Sequence, residues 1–291
     1  MATDYANLVP RDVADRFLSQ IEVQSVALRL GNSLRMNVAT ESIPVVSFLP
    51  IAGFVNPRYG GQKPATKVEW SALQLVPEEI AAVVPVPTAW IQDAGFDVEG
   101  QVEAALGTAV AKAIDLAVLF GEGAPASYPV GGVAAAAGAA VAGTDALDAL
   151  SNGMAQVEAS GLVPDGIASG PAIGAALRAE YRAIAQLPSE APQNSIYGLP
   201  VAVSPVWDST KGDAIVGDWN FLAIGVREDI TFAQTDTGVL QDAAGDIIAN
   251  MFQDNLTAVK IWARIAIAIG SPLAPDGSGP AHAFALTDWT P

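Results

Sequence analysis

Residues 43–76 read IPVVSFLPIAGFVNPRYGGQKPATKVEWSALQLV, and the architecture of the chain can be worked out from this stretch. An extended apolar run, Val45–Val55, and a second run that alternates around Trp70 flank a tip of turn-forming residues, Asn56–Pro64. Two extended segments joined by Asn, Pro and Gly residues indicate a long two-stranded hairpin. A lone hairpin is marginally stable in water at best, so it must lie against another surface. No neighbouring segment of the sequence is an obvious partner.

The composition predicts a chain with more apolar surface than one subunit hides easily. Hydrophobic residues make up 51% of the 291 positions, charged residues only 15%, and the mean hydropathy is +0.34. The formal net charge of −17 repels phosphates and disfavours a dedicated nucleic-acid-binding domain. The apolar stretches are too short or too interrupted to span a bilayer, and the first residues lack a signal-peptide pattern. We therefore expect a protein made in the cytoplasm that oligomerises, with no membrane partner.

The charges are distributed unevenly along the chain. Residues 1–70 carry a net charge of +1 and residues 71–291 a net charge of −18. The cations Arg58, Lys63 and Lys67 surround the hairpin tip, with no acid between Ser42 and Val68. One interpretation is scatter of charges over solvated faces. The other is that a basic N-terminal part docks on the acidic part of another copy, where complementary charge sets the orientation.

The other segments predict a mixture of helices and strands. Asp97 is a plausible N-cap for the strongest helix, which continues at helical spacing to Phe120 before Gly121. Two further amphipathic helices begin near Thr144 or Asp145 and near Pro171. Strands are predicted where apolar residues alternate or form short runs: Val26–Leu30, Val76–Pro87, Val201–Val206, Phe221–Val226 and Thr257–Ile269.

The sequence does not assemble a catalytic, cofactor or metal site. It has no cysteine, and its single histidine, His282, lies near the C-terminus. The adjacent acids at 78–79 and 228–229 are interpreted as solvated charges, because neighbouring side chains point apart. The acids Asp242, Asp246 and Asp254 lack the spacing of a calcium loop. The glycine-rich loop at 121–133 lacks the Lys-Ser/Thr ending of a phosphate-binding loop.

Eight short stretches, in this order and spacing, carry a resemblance to a known family. They are Ile43–Val46, Trp70–Val86, Phe96–Glu99, Ile114–Gly123, Pro129–Val133, Tyr197–Val201, Val216–Trp219 and Ile224–Arg227. Together with the sequence of arm, hairpin, long helix, α+β lobe and long strand, they resemble the major capsid proteins of tailed bacteriophages with the HK97-type fold. The resemblance covers nearly the whole chain.

The resemblance implies an α+β, HK97-like division of the chain into named parts. They are an N-terminal arm (1–42), an extended E-loop hairpin (43–76), a P-domain (77–123 and 232–268, with a spine helix at 97–120 and a long strand at 256–269), and an A-domain with the C-terminal tail (124–231 and 269–291). In this family the A-domain surrounds the centres of pentamers and hexamers.

The implied function is structural. Copies are expected to assemble through hexamers and pentamers into an icosahedral virion capsid in the host cytoplasm, enclosing double-stranded DNA without sequence-specific binding. The implied partners are a separate scaffolding protein, a portal and a decoration protein, with no cofactor. Arg58, Lys63, Lys67 and Trp70 of the hairpin are expected at the inter-subunit contact, with Glu99 and Glu103 on the neighbour's helix.

Two features of some family members are not expected in this chain. Covalent cross-linking uses an E-loop Lys, an Asn and a nearby Glu. Lys63 or Lys67 and Asn255 match the first two, but Trp262 and Ala263 occupy the positions where the acid is expected. A cleaved scaffolding segment is not expected either, because the arm begins almost at Met1.

Two other functions stay open on the sequence alone. One is an encapsulin-like nanocompartment of the same fold, which would enclose protein cargo in place of DNA. The other, from a different class, is a small acidic hydrolase, which requires a monomer with a catalytic pocket.

Overall fold

A computed structural model describes residues 25–38, 40–46, 70–93, 98–183, 195–242, 244–273 and 281–289. Over these residues the α-helices are α1 (Val26–Leu30), α2 (Thr88–Asp93), α3 (Val98–Asp115), α4 (Gly132–Ala137), α5 (Ala146–Ala159) and α6 (Ile173–Ala183). The strands are β1 (Asn32–Arg35), β2 (Glu41–Val46), β3 (Trp70–Leu75), β4 (Glu78–Pro87), β5 (Val141–Ala142), β6 (Gly166–Ser169), β7 (Ser195–Ile196), β8 (Leu199–Val203), β9 (Ala214–Gly217), β10 (Leu222–Thr235), β11 (Val239–Gln241), β12 (Ile247–Asn250), β13 (Leu256–Ile269) and β14 (Phe284–Asp288).

A four-stranded sheet forms the centre of the molecule, with the order β1-β10-β13-β4. The long strand β13 pairs antiparallel with both β10 and β4, and the parallel pairing of β1 with β10 completes the sheet. Apolar residues at every second position of β13, such as Ile261 and Ile265, are buried on one face, as the alternation predicts. Nearer its end, Ala266 and Ala268 are buried on the other face as well.

The helix α3 packs against this sheet through Leu106, Val110 and Ile114, which are all buried at helical spacing. The helical path continues as a π-helical turn, Leu116–Phe120, and ends at Gly121. The φ of Gly121 is +70°, a left-handed conformation that favours glycine at a helix end. The predicted helix is thus confirmed over residues 98–120.

A second, six-stranded sheet has the order β5-β14-β9-β6-β8-β7. We call this sheet together with α5 and α6 the lobe. Asp145 is the N-cap of α5, with its carboxylate accepting a hydrogen bond from the N–H of Asp148 at 2.8 Å, as the sequence predicts. Below the sheet, Trp219 and Phe284 are fully buried and lie edge to face, with ring centroids 5.3 Å apart.

Two segments predicted as strands differ from the structure: the first is a helix, and the second is part of a longer strand. Residues 26–30 form the helix α1, because the Ser25 hydroxyl accepts a hydrogen bond from the N–H of Leu28 and caps its first turn. The short strand predicted at 221–226 is the start of the fourteen-residue β10. Pairing with β13 extends β10 beyond its apolar start, with register irregularities around Glu228.

The strand β10 also crosses the boundary that the resemblance places between the A-domain and the P-domain. Residues 222–231 were assigned to the A-domain from the sequence, yet they pair in the four-stranded sheet. At the other end, β14 joins the lobe sheet between β5 and β9. Residues 25–35, assigned to the arm, are likewise part of the body through the buried start of α1 and the pairing of β1. None of the described helices combines the length and the apolar character needed to cross a membrane.

Candidate assembly surfaces

The base of the predicted hairpin is present as the antiparallel pair of β2 and β3. The register places Ile43 opposite Leu73 and Val46 opposite Trp70. Leu75, at the end of β3, is fully buried in a cluster that includes Met36 and β13 alanines, so the hairpin is anchored to the central sheet. Its tip, with Arg58, Lys63 and Lys67, lies outside the described residues.

The acids predicted to meet this tip lie on a different element. Glu99 and Glu103 are four residues apart in the sequence of α3. Glu103 is partly buried and takes part in an interaction of its own. Trp70 lies in β3 at the mouth of the hairpin. Within one chain the structure therefore distributes these predicted contact residues over two separate elements.

A buried carboxylate joins three parts of the chain. Asp115, at the end of α3, is only 1% exposed. Its oxygens accept hydrogen bonds from the hydroxyls of Ser25, at 2.7 Å, and Ser204, at 2.8 Å. They also accept from the backbone N–H groups of Val26, at 3.2 Å, and Ala27, at 3.1 Å. The first turn of α1, the end of α3 and the strand end after β8 are thereby held at one point.

Sequence reasoning missed this junction. In the sequence, Asp115 is simply a charge that interrupts the apolar stretch of the long helix. The useful signal was the interruption itself, because a buried acid requires several hydrogen-bond donors around it. The donors, however, come from residues about 90 positions away in either direction, and no local pattern indicates them.

The end of the long helix is held against the lobe by Lys211. Its Nζ lies 2.8 Å from a carboxylate oxygen of Glu122 and donates to the carbonyl oxygen of Phe120 at 3.3 Å. The same ammonium group lies 5.3 Å from the centre of the Phe120 ring, which Trp207 contacts edge to face. A cation at this position balances the partial negative charge of the helix C-terminus.

The acids weighed as catalytic candidates have ordinary structural partners. Glu78 accepts a hydrogen bond from Ser127 at 2.7 Å, and Glu79 lies 3.8 Å from Lys260. Glu228 accepts from the indole N–H of Trp262 at 3.3 Å. Among the described residues, no group of three or more acids or histidines is arranged to hold a metal ion.

The three aspartates near the C-terminal half act separately. Asp242 accepts hydrogen bonds from the N–H groups of Ala244 and Asp246 and so closes a turn. Asp254 accepts from the N–H of Asn250 at 3.0 Å. These contacts give the carboxylates of Asp242 and Asp254 a structural role in two tight turns.

Tyr128 lies half-buried in the loop after the long helix. Burial raises the pKa of its hydroxyl, and the negative charge of Glu78 raises it further. The hydroxyl therefore stays protonated and donates to the carbonyl oxygen of Ile265 at 2.5 Å. This bond joins the loop after the long helix to the central sheet.

Two exposed apolar surfaces lie at one end of the central sheet. The first, which we call the tip ribbon, comprises residues 236–255 with β11, β12 and the turn at 251–255. The second, which we call the apex groove, is a cavity of about 730 Å³ between the end of β4 and the start of α3. Its lining includes Val84, Pro87, Trp90, Val98 and Val102. Neither surface was predicted from the sequence.

A model of a protein family and solved structures from phages both match this chain. Residues 6–274 match the model of the phage capsid family. A solved chain from Mycobacterium phage Adephagia is 28% identical, with a TM-score of 0.76 and an alignment that covers 92% of this chain and 91% of that chain. A solved chain from Microbacterium phage Oxtober96 is 26% identical, with a TM-score of 0.77 and 91% of each chain covered.

A more distant likeness shows the fold alone. The capsid of a native GTA particle is 14% identical, with a TM-score of 0.64 and coverage of 94% of this chain and 91% of that chain. No curated protein matches the chain in sequence.

Proposed function

The chain belongs to the phage capsid family, and from that premise we propose how its copies join into a shell. It is a structural shell protein with the HK97-type fold of tailed-phage capsids. We propose that it assembles through hexamers and pentamers into a closed icosahedral capsid around double-stranded DNA. The family match over nearly the whole chain is the observation that carries this proposal. The phage sources of the similar chains favour a viral shell over an encapsulin nanocompartment.

The hairpin is proposed to lie across a neighbouring subunit. Its tip carries Arg58, Lys63 and Lys67, whereas the remainder of the chain is strongly acidic. Glu99 and Glu103 are two acids four residues apart on α3, and we propose that the neighbour's tip reaches them. Trp70 would lie where the hairpin leaves its own subunit. The anchoring of β3 by Leu75 supports this arrangement, because it fixes where the hairpin leaves the body.

The apolar part of the hairpin must supply most of the contact energy. An exposed ion pair contributes only about 0–1 kcal/mol. Burial of apolar surface contributes about 25 cal/mol per Å², so an extended run such as Val45–Val55 outweighs three ion pairs. Each contact can be weak, because every subunit makes several contacts and the shell closes by symmetry.

The overall charge supports a container for DNA. A net charge of −17 repels phosphate, so the wall does not hold the genome tightly and DNA packs and leaves without sequence-specific contacts. The protein belongs to the virion capsid. Assembly in the host cytoplasm, a separate scaffolding protein, a portal and a decoration protein complete the proposal. A structural role for the chain follows from the same family membership, and we propose no catalytic step for it.

Reversing two charges tests the hairpin contact. The double variant Lys63→Glu, Lys67→Glu should fold with an unchanged melting temperature but form far fewer closed shells in electron microscopy. The matched control is Lys112→Glu, Arg178→Glu, which makes the same change in net charge at two exposed positions outside the hairpin. Arg178 lies on α6, and Lys112 lies on α3 about 13 Å along the helix from Glu103, at about 1.5 Å per residue. Normal shells from the first variant, or an equal loss in the control, would contradict the proposed contact.

A further inference from the structure

The outer face of the tip ribbon is apolar and exposed. Phe252 is 80% exposed, Ile247 66%, Ile248 64% and Val239 48%. The inner face is different, because Ala249 and other small or apolar side chains are buried against the start of β13. The ribbon is therefore folded onto its own chain through one face only. The other face has the composition of a contact surface and is left uncovered by the described residues.

The apex groove lies at the same end of the central sheet. Pro87, in its lining, pairs with Leu256, the first residue of β13 and the neighbour of the ribbon. The N–H of Thr88 donates to the carbonyl oxygen of Asn255 at 3.0 Å, which joins the two regions directly. Trp90 stands in the groove with 64% of its surface exposed. Phe252 does not line the groove of its own chain.

This end of the sheet is far from the lobe. The strand β13 has fourteen residues, so it is about 45 Å long at about 3.4 Å per residue. The ribbon lies before Leu256, whereas the lobe side begins beyond Ile269, where the N–H of Gly270 donates to the carbonyl oxygen of Phe221. If the lobe surrounds the centres of hexamers and pentamers, the ribbon and the groove face outward from each capsomer.

The charge of the ribbon narrows the class of partner. Between Arg227 and Lys260 the sequence has six acids and no basic residue. Such a segment repels DNA phosphates. The exposed apolar side chains of the ribbon match an apolar cavity, and the groove is large enough to receive them. A cavity of about 150 Å³ already binds benzene, whereas the groove measures about 730 Å³ and has room for an aromatic ring with aliphatic neighbours.

We propose that the tip ribbon of one copy inserts Phe252, flanked by Ile247 and Ile248, into the apex groove beside Trp90 of a copy in the adjacent capsomer. This proposal rests on the shell function above and adds the contact between capsomers. Every copy carries both the inserted face and the groove at the same end, so the contact is heterologous. A heterologous contact closes into a ring when the rotation between copies matches a symmetry axis, which is the arrangement we propose here.

The contact leaves room for the hairpin proposed above. Val98 and Val102 line the groove, whereas Glu99 and Glu103 lie one position further along α3. One residue corresponds to a rotation of about 100° around a helix. The same helix therefore offers one side to the ribbon of one neighbour and another side to the hairpin of a second.

Removing the inserted ring tests the proposal on the full chain. Phe252→Ser and Trp90→Ser should each retain capsomers and the melting temperature of the parent chain, while the yield of closed shells falls by about tenfold or more. The control Val130→Ser removes an exposed valine from a loop elsewhere and should leave shells unchanged. Closed shells at the parent yield from Phe252→Ser would overturn the proposal. Failure of the parent chain itself to form capsomers would contradict the shell function and not this contact.

Disulfide trapping identifies the occupant of the groove, because the chain has no cysteine of its own. In shells that contain Gln253→Cys, next to the inserted ring, and Ala89→Cys, in the groove lining, Phe252 and Trp90 are both kept. Oxidation should link these chains into covalent oligomers on a denaturing gel, while neither single variant does so. Cross-linking by Gln253→Cys alone would show ribbon against ribbon and overturn the proposal. Absence of links in the double variant would show a different occupant, such as the hairpin, and would overturn it too.

Discussion

The lobe and the tip ribbon contain the same kinds of large apolar side chains and treat them in opposite ways. Where the lobe meets the central sheet, Trp219 and Phe284 are completely buried against each other. In the ribbon, Ile248 and Phe252 stand in solvent. The difference distinguishes residues that stabilise a single copy from residues that are available for contact with another copy. Trp219 and Phe284 stabilise the fold of a single copy, whereas the exposed face of the ribbon is proposed to be covered on assembly.

The largest effect on folding is expected from truncating the buried tryptophan. Trp219→Ala should lower the free energy of unfolding by about 3–5 kcal/mol, because it removes a fully buried ring and its hydrogen bond to the carbonyl oxygen of Gly166. Trp90→Ala is the matched control and should change it by no more than about 0.5 kcal/mol. Urea unfolding of unassembled chains measures both. Equal losses of unfolding free energy in the two variants would show that Trp90 is as important to the fold as Trp219, and would contradict its assignment to a contact surface.

A second large effect is expected at the buried junction. Asp115→Ala should cost about 3 kcal/mol, because it leaves the donors of Ser25, Val26, Ala27 and Ser204 without their acceptor. Limited proteolysis should also cut the N-terminal segment faster.

The control for this substitution is Asp242→Ala, in the exposed turn of the ribbon. Asp242 also accepts two backbone hydrogen bonds, but water can replace them. We expect a cost of about 0.5–1 kcal/mol there. A loss at Asp242 as large as that at Asp115 would show that the ribbon turn is as critical to folding as the body.

The smallest effect is expected at the clamp on the long helix. Lys211→Met should lower the free energy of unfolding by about 1 kcal/mol, because the ammonium group is partly exposed and contacts both Glu122 and the helix end. Lys260→Met should cost less, since its ion pair with Glu79 is longer, at 3.8 Å. Unfolding in low and high salt should show the Lys211 difference shrinking as salt rises. A difference that is independent of salt would assign the effect to packing on Phe120.

Much of the fold was accessible from local patterns. The alternation in β13 and the helical spacing from residue 98 to 120 are strong, long signals, and both are confirmed. Short signals failed where tertiary contacts outweighed them. Residues 26–30 alternate like a strand, yet capping by Ser25 and the buried carboxylate of Asp115 hold them as a helix. The apolar start of β10 was visible, but its continuation depends on pairing with β13.

The proposed contact residues also divide into those that a local pattern indicated and those that only the tertiary structure revealed. Arg58, Lys63 and Lys67 were selected by charge and Glu99 and Glu103 by helical spacing, and their meeting across subunits stays a prediction. The apex groove and the tip ribbon were not selected at all. Whether a phenylalanine is a core residue or a contact residue depends on what covers it, and no local pattern of the sequence contains that information.

The sequence by itself determined the acidic, apolar character of the protein and the periodicity of its long helix and long strand. These properties belong to residues near one another in the chain, so local spacing expresses them. Only the tertiary structure decided which apolar residues stay exposed and which distant donors surround Asp115. The physical reason is that burial and desolvation are properties of surfaces, and those surfaces form only when segments far apart in the sequence pack together.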